Sequence, residues 1–204
     1  EPYRRQRQMC IRDRYFTDRN NSVGCERKGI FMDYPVFKEE MKSSYTILIP
    51  DMLPIHFKLI INILKKYGYH VELLQTSTRA VVDEGLKNVH NDTCYPALLV
   101  IGQFINALKS GKYDVNRTAL MLTQTGGGCR ASNYIHLLRK ALKKEFPQVP
   151  VISLNLSGLE KGSGLSLTLP LLIKVVYAVF YGDLLMSLYN QCKPYEIHLS
   201  LIHI

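Results

Sequence analysis

YTILIPDMLPIHFKLIINILKKYGYHVELL, residues 45–74, carries the fold in miniature. Tyr45–Pro50 is a short, β-branched, apolar run closed by a proline, the signature of a strand buried on both faces. Pro54 then opens a segment whose apolar positions recur at helical spacing and which stops at Gly68, a residue suited to the left-handed turn after a helix. His70–Leu74 gives a second strand, so the stretch predicts one β-α-β unit.

The same alternation continues downstream. A short helix is expected over Thr78–Val89, with Asp83 and Glu84 on its outer face. The loop Asn91-Asp92-Thr93-Cys94-Tyr95-Pro96 leads into a helix ending near Leu108, with the proline in its first turn. Thr118–Thr123 predicts a third strand, Ala131–Phe146 a helix, Pro150–Asn155 a fourth strand, and Pro170–Tyr189 a final helix. Strands that alternate with helices in this way pair in parallel, through right-handed crossovers. The expected fold is therefore α/β: a Rossmann-like three-layer arrangement around a mainly parallel four-stranded sheet, in a fragment of a larger protein. Ligands of such sheets gather beyond the carboxyl ends of the strands, where Asp51 and Asn155 would lie.

Both flanks read as foreign. Arg4–Arg14, RRQRQMCIRDR, is a translation of a transposase-type sequencing adaptor, and Leu199–Ile204, LSLIHI, is a translation of its reverse complement. Residues 1–14 and 199–204 are accordingly expected to be adaptor-derived, 15–44 to be a polar connector, and 45–198 to be a truncated α/β domain. Setting aside five arginines and two acids in the first flank lowers the net charge from +9 to +6. The remaining excess sits in pairs such as Lys65-Lys66, Arg139-Lys140 and Lys143-Lys144 on presumed helices, which predicts solvated faces and no nucleic-acid partner. The apolar run Leu165–Phe180 is interrupted by Thr168, Pro170 and Lys174, so a core or interface helix is expected there and no membrane span. Absence of secretory features points to the cytoplasm.

With Cys10 assigned to the adaptor, Cys25, Cys94, Cys129 and Cys192 remain, far apart and without a CxxC pair. This pattern favours thiolate chemistry or inert burial over disulfide stapling. The most informative local feature is Gln124-Thr125-Gly126-Gly127-Gly128-Cys129-Arg130, between a strand and a helix. Gly126, Gly127 and Gly128 allow close approach of the backbone to a bulky group and expose amide donors. At the start of the following helix the Cys129 thiol is expected to be acidified, with Arg130 adding positive charge. A phosphate-cradling loop with a bystander cysteine is the competing reading, although the Lys-Ser/Thr of a P-loop is missing. Cys94 occupies a second loop-to-helix junction, and two thiolates in one structural role suit an iron–sulfur cluster, which draws its ligands from several loops. Cys25, beside Glu26, Arg27 and Lys28, is a third candidate; Cys192 is weaker. His56 and His136 sit among apolar neighbours and are expected to serve packing or to be exposed.

TILIPDMLPIHF, NDTCYPALLVIGQFINALKSGKYD, TQTGGGCRASNYIHLLRKAL and VPVISLNLSGLEK together resemble the C-terminal region of the acyl-CoA dehydratase activase-related family, also called CoA-substrate-specific enzyme activases. The resemblance extends over residues 30–196. Members join actin-like ATP-binding activase modules to a region similar to the D component of 2-hydroxyacyl-CoA dehydratases. The resemblance implies a 4Fe-4S or double-cubane cluster with Cys94 and Cys129 as ligands, fed with low-potential electrons by an ATP-dependent activase of an anaerobe. It further implies a CoA-thioester or another hard-to-reduce substrate. ATP would enter only through the missing activase modules, and the fragment is expected to be inactive alone. The alternatives are a non-redox module binding a phosphate-containing ligand such as CoA, or a scaffold that docks the activase.

Overall fold

The two central strands have no polar face. In β1 (Thr46–Pro50), Ile47 and Ile49 point to one side and Leu48 to the other, and all three are buried. In β3 (Thr118–Gln124), Ala119 and Met121 alternate in the same way with Leu120 and Leu122. Strands with two apolar faces need helices on both sides, and the structure, a computed structural model that describes residues 34–90, 93–124, 134–155 and 168–195, supplies them. These residues belong to one compact unit, Tyr34–Ile204.

Strands β2 (His70–Leu74) and β4 (Val151–Asn155) complete a parallel sheet of order β2-β1-β3-β4. Ile47 is opposite Val71 on one side and Ala119 on the other, and Gln124 is opposite Asn155. From β1 the chain moves outward to β2 and then returns to the other side of β1 for β3. That reversal makes the carboxyl ends of β1 and β3 the point where a crevice opens in folds of this type.

One face of the sheet is covered by α1 (Pro54–Lys66), through Phe57, Ile61 and Leu64, and by Leu171 of α5 (Leu169–Cys192). Phe37, upstream of the first strand, is buried in the same cluster. The other face is covered by α3 (Tyr95–Lys109) and α4 (Tyr134–Glu145). α3 is the most enclosed helix, with Ala97, Val100, Ile101, Phe104 and Leu108 all buried. The α/β three-layer fold expected from the sequence is the one observed, with helix and strand ends within a few residues of their expected places. Gly68 follows α1 with φ of +84°, as its place after the helix requires.

Helix α2 (Arg79–Asn88) packs on α3 at backbone distance. A Cβ on Gly102 would lie 2.1 Å from the Val81 carbonyl oxygen, and one on Gly85 would lie 2.4 Å from that of Leu98. Neither obstacle is a flexible side chain, so the two glycines set the helix separation. Around this contact Lys109 of α3 binds Glu84 of α2 at 2.8 Å and Glu145 of α4 at 2.7 Å, while Lys87 binds Glu84 at 2.9 Å. The ammonium groups of Lys109 and Lys87 hold the Glu84 carboxyl below its ordinary range.

Of the two roles expected for α5, core or interface helix, its burial does not fit the first. Leu171, Ala178 and Gly182 are buried, whereas Ile173, Tyr177, Phe180 and Leu184 are exposed. It starts where expected, with Pro170 in its first turn, and continues past the expected end at Tyr189 to Cys192. Among the described residues, Leu169–Tyr195 is long and apolar enough to cross a membrane by length and composition.

Gly102→Ala is expected to lower folding stability by roughly 1–3 kcal/mol, as overpacking a close contact does; chemical denaturation measures it, and an unchanged midpoint contradicts the backbone contact. A second expectation concerns pH. Because the folded Glu84 carboxyl titrates below its ordinary 4.5, its contribution is complete above that pH and fades as pH falls through the lower folded value. The gap in stability between the parent chain and Glu84→Gln, about 1 kcal/mol or less at neutral pH for a partly solvated network, should close below pH 4.5 in urea titrations.

Candidate functional site at the carboxyl edge

Asp51 directly follows β1 and is half-buried. Its backbone N–H donates to the Leu74 carbonyl at 3.2 Å and to Gln103 Oε1 at 3.3 Å. Gln103 in turn donates through Nε2 to the Thr76 carbonyl at 3.0 Å. One buried polar side chain of α3 thus ties the end of β1 to the loop leaving β2. Sequence reasoning missed Gln103; the available signal was an amide in the apolar run ALLVIGQF of a helix that is mostly buried.

The Asp51 carboxyl itself is less well served. Its Oδ1 is buried without a hydrogen-bond partner among the described residues. Burial pushes its pKa up, and the nearby positive charge of Lys58 only partly opposes this. Buried polar atoms are normally paired, and perturbed carboxyls cluster where a protein binds or reacts. The residue expected from sequence to sit on the ligand-facing edge is therefore one that the fold holds at a cost.

Cys94 is the N-cap residue of α3, with extended backbone (φ −62°, ψ 146°). Its carbonyl accepts from the N–H of Ala97 at 3.0 Å and of Leu98 at 3.3 Å, so the backbone starts the helix and the side chain takes no part in capping. The half-buried thiol instead meets the Tyr134 hydroxyl at 2.9 Å, where either group can donate. Tyr134 is buried and is the first residue of α4, the helix that follows the carboxyl end of β3. Through Gln103 and Cys94, α3 touches chain segments that leave the carboxyl ends of β1, β2 and β3.

Of the other candidates, Cys25, Gly126, Gly127, Gly128, Cys129 and Arg130 lie outside the described residues. Cys192, the last residue of α5, is exposed and belongs to the opposite layer from Cys94, so the structure does not bring the two together. Among the described residues no group of three His, Cys, Asp or Glu side chains converges to hold a metal ion. His136 is exposed, and buried His56 packs on Gly182 with its Nε2 2.9 Å from Asp183 Oδ1, so one shows the expected exposure and the other the expected packing. Away from this edge, Glu72 of β2 accepts from the Tyr113 hydroxyl at 2.7 Å and pairs with Lys112, fastening the turn before β3 to the sheet.

Compared with family models, curated proteins and solved structures, the chain matches none.

Two substitutions separate scaffold from site. Gln103→Leu strips the Thr76 carbonyl of its donor and Asp51 N–H of one acceptor, and should cost about 1–3 kcal/mol. Asp51→Asn removes a desolvated charge and should leave the melting temperature unchanged or raise it at neutral pH. Calorimetry on the two variants checks both; a large loss for Asp51→Asn contradicts the view of this carboxyl as strained.

Proposed function

We propose that the carboxyl edge of the sheet is a redox cofactor edge, and that the chain is the iron–sulfur domain of a 2-hydroxyacyl-CoA dehydratase-like system served by an ATP-dependent activase. The observation that carries the proposal is the contact of the Cys94 thiol with Tyr134. Tyr134 lies five positions after Cys129 in the chain, and five extended residues span at most about 18 Å. The thiol is half-buried at a loop-to-helix junction and is not sealed in the core, so its surroundings suit a ligand. The remaining support is the resemblance of the Cys94 and Gly126–Cys129 segments to the family's motifs.

The residues at hand fit such a group as one ligand and its environment. A bound cluster would supply one-electron transfer at low potential. Cys94 would hold it through Sγ, together with Cys129 and a further thiolate such as Cys25. The Tyr134 hydroxyl would direct a hydrogen bond at the ligating sulfur, which is one lever on the potential. Asp51, with a carboxyl that burial makes easier to protonate, is the group at this edge suited to accept or release a proton.

Anaerobic reconstitution with iron and sulfide tests the proposal. Broad visible absorption is expected in the parent chain and its loss in Cys94→Ser and Cys129→Ser. Iron content unchanged in both variants rejects it, and CoA binding that is indifferent to either substitution would favour the non-redox alternative.

A further inference from the structure

The side of α5 opposite its buried residues carries Ile173, Val176, Tyr177, Phe180, Leu184 and Leu188, at intervals of one to four residues, and each is at least 46% exposed. A helix that packs against a core by one stripe should present polar groups on the other. This one presents a second apolar stripe, about 22 Å long at 1.5 Å per residue. Beside it, α1 and α5 enclose a groove of about 710 Å³. Leu59 and Ile63 form one wall, Tyr177 and Leu184 the other, and among the described lining residues Lys66 and Lys174 stand with no carboxylate.

Charge decides what fits there. Among the described residues neither Lys66 nor Lys174 is in an ion pair, and the Lys174 ammonium lies 5.1 Å from the centre of the Tyr67 ring. An apolar groove edged by unpaired lysines complements a partner that is apolar on one face and acidic beside it. We propose that it receives an amphipathic helix of a protein partner, about four turns long, with carboxylates along the flank that meets Lys66 and Lys174.

Two other occupants fit less well. A bilayer is flat and would touch the ridge of α5 while leaving the groove unfilled, and it would press anionic headgroups against Asp183, whose side chain is 59% exposed beside the apolar stripe. A second copy would offer its own α5, whose one carboxylate, Asp183, is already held by His56. The groove uses no residue of the carboxyl edge, so this docking site and the cofactor proposal stand or fall separately.

The test uses the whole chain and a fluorescein-labelled synthetic helix of about 15 residues, with leucines at helical spacing and glutamates on the flanks. Its counterpart carries lysines in place of the glutamates. Saturable anisotropy is expected with the acidic peptide and none with the basic one. Lys66→Glu combined with Lys174→Glu should weaken the acidic peptide about tenfold or more and admit the basic one. Phe180→Asp should abolish binding with circular dichroism unchanged; should that variant fail to fold, the two exposed lysines still decide the matter. No binding, or binding indifferent to peptide charge, overturns the proposal. So does flotation with phosphatidylcholine–phosphatidylglycerol vesicles without peptide binding, or a sedimenting dimer that Phe180→Asp dissociates.

Discussion

The pairing of β1 with β3 is the constraint on which the molecule depends. Both strands are apolar on both faces, so neither can exist without helices above and below, and their register of Thr46 against Thr118 sets the level of every other element. The chain reaches that pairing only after leaving β1 for the far edge of the sheet, and the detour opens the carboxyl ends of the two central strands. Gln103 shows how the opening is stabilised. Its buried amide binds two backbone segments at that edge and leaves Asp51 Oδ1 without a hydrogen-bond partner among the described residues.

The helices differ in what they owe the core. α3 is enclosed by the sheet, by α2 through the Gly85 and Gly102 contacts, and by α4. α5 is held along one stripe, where the absence of a side chain at Gly182 lets His56 approach: a Cβ there would fall 2.5 Å from the imidazole. An enclosed helix whose N-terminus reaches the carboxyl edge and a lightly held helix carrying an open apolar face are different kinds of surface. The first fixes the position of what it carries, and the second leaves an apolar face uncovered.

Much of this was legible in the sequence, for a physical reason. The continuous apolar run closed by Pro50 and helices opened by Pro54 and Pro96 are local signals, and the observed elements follow them closely. Long-range facts were not legible. The amide of Gln103 finds partners on Asp51 and Thr76, and the hydroxyl of Tyr134 finds Cys94, only once the sheet has assembled. Phe37 sits in polar surroundings in the chain yet is buried in the fold. The apolar character of α5 pointed to a core or an interface helix without deciding between them, because composition does not tell which of two apolar stripes a neighbour will cover. At the candidate site, Cys94 and Asp51 could be named from their positions at element ends, whereas the strain on Asp51 required coordinates.

The account stands on Cys94 as a ligand at the carboxyl edge, and the most direct measurement is X-ray absorption at the selenium edge of protein carrying selenocysteine at position 94, reconstituted anaerobically with iron and sulfide. The account predicts iron in the first shell around selenium. A selenium with only carbon and hydrogen-bonded oxygen as neighbours would contradict it.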